Sequence, residues 1–148
     1  MVHAYAPHYL NKGSKLHVTF FSVESVLKLH PIIENICVCA RPSESFCVAL
    51  VVPSVTRLLQ FAEESFNKTG FTADELAKDK CILDAIIRVV LTFGHSKGLE
   101  KFEVPKKMAL VLDKWTPDSG LVTAAMKLRR KQVEEKYAEA INRLYSDF

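Results

Sequence analysis

The chain has 148 residues, of which 49% are hydrophobic and 25% charged, and a formal net charge of +3. That length suits one domain whose core needs neither disulfide nor metal, and the composition excludes a wholly disordered, collagen-like or coiled-coil chain. No run approaches the ~18 apolar residues of a membrane span. Met1 to Leu10 mixes His, Tyr and Pro with Ala, unlike a signal peptide, so a cytosolic protein is expected.

Met1 to Phe21 contains Pro7, an Asn11-Lys12-Gly13 turn and little periodicity. Residues 1–21 are therefore expected to be poorly ordered, ahead of a domain over 22–148. Within them only Leu16, Val18 and Phe20 alternate like a short strand. Ser22 to His30 reads as a helix capped by Ser22, with Val23, Val26 and Leu27 on one face and Pro31 as its stop. Two β-rich runs, Ile36–Ala40 and Phe46–Val52, flank the turn Arg41–Ser45 and predict a hairpin. The second run is apolar almost throughout, as in a central strand covered on both faces.

Pro53 and Ser54 open a helix with Leu58, Leu59, Ala62 and Phe66 on one side, and Thr72 to Glu75 forms a capping box. Lys80 to Ser96 is the clearest helix. Its polar stripe is only Lys80, Asp84, Arg88 and Thr92, so most of it should be buried against a sheet. Met108 to Leu112 is a further strand, Asp118-Ser119-Gly120 a turn, and Val133, Tyr137, Ile141 and Leu144 the apolar stripe of one terminal helix. Strands and helices so mixed, with a hairpin among them, indicate an α+β domain with a short mixed or antiparallel sheet.

Tests for chemistry mostly return core residues. Cys37 and Cys39 share a strand face and Cys47 lies across the hairpin, but the CxxC pairs of a zinc site are missing, so these and Cys81 are read as structural. No metal site is expected. The five histidines are scattered, no nucleophile sits on an elbow, and no glycine-rich phosphate loop is present. The total charge is too mild to argue nucleic-acid binding, and no nucleic-acid partner is expected. Locally, however, Lys101 to Lys131 carries eight bases against three acids. The sole tryptophan, a Pro-Asp-Ser-Gly turn and a basic cluster fall together in Trp115 to Arg130. Such a turn presents backbone and a following lysine at the rim of a domain. A plain strand–turn–helix connection with solvated bases has the same composition.

Four stretches carry a family resemblance: Val23-Glu24 with Asn35-Ile36-Cys37, the run Leu99 to Pro105 (LEKFEVP), Trp115 to Thr123 followed by Lys127 to Arg130 (WTPDSGLVT…KLRR), and Tyr137 to Tyr145. Over roughly Val23 to Tyr145 the chain resembles the C-terminal domain of long-chain acyl-CoA synthetases, which are adenylate-forming enzymes. The resemblance implies an AMP-binding-enzyme C-terminal-like domain over 22–148. It also implies that the family's ATP, Mg2+ and coenzyme A serve a two-step reaction. A fatty carboxylate attacks ATP to give an acyl-adenylate, and coenzyme A then takes the acyl group. The small C-terminal domain swings over a large N-terminal one, and its lysine meets the reacting oxygens in the first step.

By position in the motif that lysine is Lys127. Trp115, Thr116, Pro117, Gly120 and Thr123 are then turn and motif positions near the site, and Arg129 and Arg130 candidate coenzyme A or phosphate contacts. An N-terminal adenylation domain is the implied partner, with fatty acid, ATP and coenzyme A as substrates. Relatives sit on cytosolic faces of the endoplasmic reticulum, mitochondrial outer membrane or lipid droplets. The chain departs from the pattern in lacking the N-terminal domain and the hinge, where Lys15 and Phe21 stand in place of glycines. Met1 to Leu16 resembles nothing in the family. A fragment that binds no cofactor and is inactive alone is expected. A non-catalytic interaction module with the same fold is the alternative.

Overall fold

A computed structural model describes residues 20–146. The expected Leu16–Val18 strand and most of the 1–21 segment lie outside the described residues. Phe20, expected to extend that strand, instead begins helix α1 (Phe20–Leu27). Phe20, Val23, Glu24 and Leu27 recur at helical spacing, and all four are buried. The next turns lead to β1 (Ile33–Cys39), which pairs antiparallel with β2 (Val48–Pro53), Cys37 opposite Leu50 and Cys39 opposite Val48. The expected hairpin is present, and its first strand starts three residues earlier than the apolar run because Ile33 reaches Pro53 across a bulge.

Three helices follow: α2 (Val55–Phe66), α3 (Ala73–Lys78) and α4 (Lys80–Ser96). The Thr72–Glu75 capping box is formed in both directions. Asp79 caps α4 through the amides of Cys81 and Ile82 and also pairs with Lys68. Strand β3 (Lys107–Leu110) returns parallel to β2, giving a mixed sheet of order β1-β2-β3. The central strand β2 is buried at every residue.

Alternation along the strands divides the core in two. Ile36, Val38, Ala49, Val51 and Met108 face α1, α2 and α4, packing on Leu27, Leu58, Ile82 and Ile86. Cys37, Cys39, Val48, Leu50 and Val52 face Trp115, Leu121, Val122, Val133, Ile141 and Tyr145. Gly94 lets α4 approach closely: a Cβ there would meet Val104 at 3.1 Å and Leu27 at 3.3 Å.

Further expectations need correction. Ser22 lies inside α1 and is not its cap, because the helix starts at Phe20. Leu59 is exposed, because the buried face of α2 runs through Leu58 and Ala62 alone. Cys81 is exposed at the first turn of α4, whereas Cys37, Cys39 and Cys47 are buried as expected. The single terminal helix is two, α5 (Arg130–Lys136) and α6 (Ala138–Ser146), broken at Tyr137. Among the described residues no helix is long and apolar enough to cross a membrane.

Candidate functional site

The Trp115–Arg130 segment folds as a framed turn followed by a small hairpin. Trp115 is buried against the sheet, and its Nε1–H donates to the Tyr137 hydroxyl at 3.1 Å. That hydroxyl in turn donates to the Asp113 carboxylate at 2.8 Å, and Lys136 stands 3.9 Å from the same carboxylate. Burial, assisted by Asp113, pushes the Tyr137 hydroxyl up to about 12. The helix break at Tyr137 thus coincides with the point where the segment is fastened.

Thr116 and Ser119 cap a single 3-10 turn (Pro117–Ser119) reciprocally, each side chain accepting the other's amide. Pro117 occupies its first position, and Gly120 leaves it with φ +79°, a left-handed conformation that glycine adopts without cost. Leu121 and Val122 then drop into the core.

The chain doubles back at once. Val122 bridges Leu128 antiparallel, and the Arg129 amide donates to the Leu121 carbonyl at 2.8 Å. At the tip the Met126 amide donates to the Thr123 carbonyl, and Met126 itself has φ +63°. A tight turn followed by a left-handed residue is a usual hairpin closure, with glycine the common choice at that place.

Lys127 therefore sits at the base of a pinned loop, not at the start of a helix. Its carbonyl accepts the Thr123 amide at 2.8 Å, and its amide donates to Thr123 Oγ1 at 3.1 Å. Its side chain is exposed, as are those of Arg129 and Lys131. Among the described residues none of the three is in an ion pair. Main-chain bonds fix where the Lys127 side chain departs while leaving its ammonium in solvent.

Arg130 has a different place from its neighbours. Its guanidinium makes a bidentate pair with Glu24 of α1, at 2.7 Å and 3.0 Å, and donates to the Val38 carbonyl at 2.8 Å. Glu24 Oε2 accepts the Val38 amide at 2.7 Å. The side chains of Arg130 and Glu24 are only 11% and 7% exposed. Among the described residues β1 is an edge strand, so the pair satisfies backbone groups that the sheet leaves open and ties α1 to the end of the Lys127 hairpin. Burial opposes the charge on Arg130, yet Glu24 holds its pKa above the ordinary arginine value. Arg130 is thus far less open to a phosphate than Arg129, because two of its guanidinium nitrogens are engaged by Glu24 and Val38 and only 11% of its side chain is exposed.

Glu24, Trp115 and Tyr137 fall in the motif runs, but the sequence does not announce the Glu24–Arg130 pair or the Asp113–Tyr137–Trp115 chain. Glu24 had a visible signal: an acid on the apolar face of α1, four residues from Phe20 and three from Leu27. The donor set around Lys127 is cationic, which fits phosphate oxygens. Among the described residues there is no group of three or more His, Cys, Asp or Glu able to hold a metal ion, so these residues do not fit a divalent cation.

No protein-family model matches the chain. A long chain acyl-CoA synthetase of Arabidopsis thaliana is 38% identical over 130 residues, covering 88% of this chain and 18% of the relative. A long-chain-fatty-acid–CoA ligase of Saccharomyces cerevisiae is 28% identical over 132 residues, covering 88% and 19%. A human long-chain-fatty-acid–CoA ligase is 29% identical over 124 residues, covering 84% and 18%. The chain thus spans less than a fifth of the length of these relatives. Among solved structures, the adenylation domain of a carboxylate reductase from Mycobacterium chelonae superposes with TM-score 0.73 at 23% identity, covering 93% of this chain and 19% of that one. The adenylation–carrier didomain of a carboxylic acid reductase from Segniliparus rugosus gives 0.70 at 22%, covering 87% and 16%. Both have this fold.

Proposed function

We propose, for a chain homologous to long-chain acyl-CoA synthetases over 88% of its length and sharing its fold with parts of adenylation domains, the role of a lid segment that delivers Lys127 to an adenylation site held by a separate domain. The observation that carries this reading is the Lys127 hairpin. One ammonium projects from a loop whose backbone is bonded on both sides, beside Arg129 and Lys131, with Arg130 withdrawn into the fold.

In this reading a fatty carboxylate oxygen attacks the α-phosphorus of ATP, the bond to the β-phosphate breaks, and pyrophosphate leaves as the acyl-adenylate forms. Lys127 approaches the oxygens on which negative charge develops, and its ammonium stabilises that charge without gaining or losing a proton. Arg129 and Lys131 raise the local positive potential and draw phosphate-bearing ligands, ATP in one step and coenzyme A in the other. Thr123 and Gly120 hold the loop and touch no substrate. A magnesium ion would take its ligands outside these residues, and no step here passes through it.

The test is complementation. The chain alone should give no fatty-acid-dependent exchange of pyrophosphate into ATP, whereas the chain fused behind the large domain of a long-chain synthetase should restore it. Exchange by the chain alone would show that the chain carries a complete site. A fusion that folds but stays silent would favour the alternative of a non-catalytic binding module.

A further inference from the structure

The Leu99–Pro105 run has no part in the lid reading, yet it builds one wall of a groove at the end of the sheet where β2 and β3 begin. Phe102 and Val104 of this run, Phe46 ahead of β2 and Leu91 of α4 supply apolar walls, and Lys101 and Lys106 line the same groove. Its volume is about 530 Å3, inside the range of roughly 300–1,000 Å3 usual for small-molecule sites. Both lysines are exposed, and neither belongs to an ion pair among the described residues. The Lys106 ammonium stands 5.1 Å from the centre of the Phe46 ring, which holds a positive charge over the apolar wall. Glu103, the acid between the two lysines, is buried and its carboxylate accepts the Glu100 amide at 2.8 Å.

We propose that this groove binds a single-chain amphiphilic anion, with its hydrocarbon against Phe46, Leu91, Phe102 and Val104 and its acidic head between Lys101 and Lys106. Charge complementarity selects an anion, and the apolar walls select a chain rather than a bare phosphate. A single molecule fits better than a bilayer surface. The walls are half-buried or buried, whereas the exposed large apolar side chains (Leu29, Val55, Leu59, Phe71 and Met126) all lie outside the groove. A bilayer is met by protruding apolar groups. The groove shares no residue with the Lys127 hairpin, so this inference stands apart from the lid reading.

The test titrates the 148-residue chain with myristate below its micelle concentration, followed by calorimetry and backbone amide shifts. Saturable one-to-one binding is expected, with shifts at Phe46, Leu91 and Phe102. Lys101→Gln and Lys106→Gln should each weaken it about threefold to fivefold, the scale of one exposed ion pair. Uncharged methyl myristate should bind about tenfold more weakly or worse, and Lys127→Ala should change nothing. The proposal is overturned by an absence of saturable binding, by affinity that survives both lysine substitutions, or by association with anionic phosphatidylserine vesicles but not with the monomer.

Discussion

Removing the Arg130 guanidinium tests the packing account most severely. The side chain makes two bonds to Glu24 and one to the Val38 carbonyl, and 11% of it is exposed. Arg130→Met keeps the aliphatic stem but leaves the Glu24 carboxylate, itself 7% exposed, without its counter-charge. Breaking one side of a buried pair costs about 3–5 kcal/mol, a large share of the ~5–15 kcal/mol that holds a domain together. Urea melts of the 148-residue chain should show the midpoint falling with an unchanged slope. The double variant Glu24→Leu/Arg130→Met should lose less than the sum of its single variants, since no lone charge remains. It should not return to wild type, because the Val38 amide and carbonyl would lose their partners at about 1–3 kcal/mol each if they stay buried. An Arg130→Met variant within about 0.5 kcal/mol of wild type, as for an ordinary surface base, would refute the reasoning.

Two glycines should respond to substitution for opposite reasons. Gly120→Ala should cost about 1–2 kcal/mol through its left-handed backbone alone, since a Cβ there meets open space. Gly94→Val, at an ordinary helical φ, should cost about 1–3 kcal/mol by crowding Leu27, Leu99 and Val104; thermal melts read both. Alkaline pH should weaken the fold. Burial raises Tyr137 from 10.0 to about 12 and Cys47 from 9.0 to about 12, so the folded state holds these protons after the unfolded chain has released them. The contribution of these two groups is then fully present below pH 9 and lost as pH climbs from about 9 to 12, and urea midpoints across that range should fall, less steeply in Tyr137→Phe. A midpoint flat across that range would contradict the burial of these groups.

The hairpin, the buried β2 and the limits of α4 were legible because each rests on local pattern: turn residues, a continuous apolar run, one narrow polar stripe. The Phe20 start of α1 was misread because three alternating apolar residues suit a strand until Val23, Glu24 and Leu27 are counted on the same helical face. The break at Tyr137 was invisible because the apolar stripe runs unbroken through both terminal helices. What interrupts it is a hydrogen-bond chain to Trp115 and Asp113, more than twenty residues earlier in sequence. At the candidate site the turn around Gly120 could be read from its residues. The hairpin that pins Lys127 could not, because Met126 stands where a glycine would have announced the turn. Arg130 looked like one base among several, and only its contact with Glu24, 106 positions away, separates it from Arg129 and Lys131.

The most direct test of the lid account measures the two half-reactions separately in the fusion with a long-chain synthetase large domain. Lys127→Ala should slow acyl-adenylate formation by roughly 10²–10³, the usual loss for one preorganised donor to a transition state. It should leave thioester formation from supplied acyl-adenylate close to the unsubstituted fusion. Arg129→Ala, exposed and three residues past the hairpin tip, is the matched control and should lower adenylation far less. Equal losses from Lys127→Ala and Arg129→Ala, or a Lys127→Ala variant that adenylates at the unsubstituted rate, would contradict the assignment of Lys127.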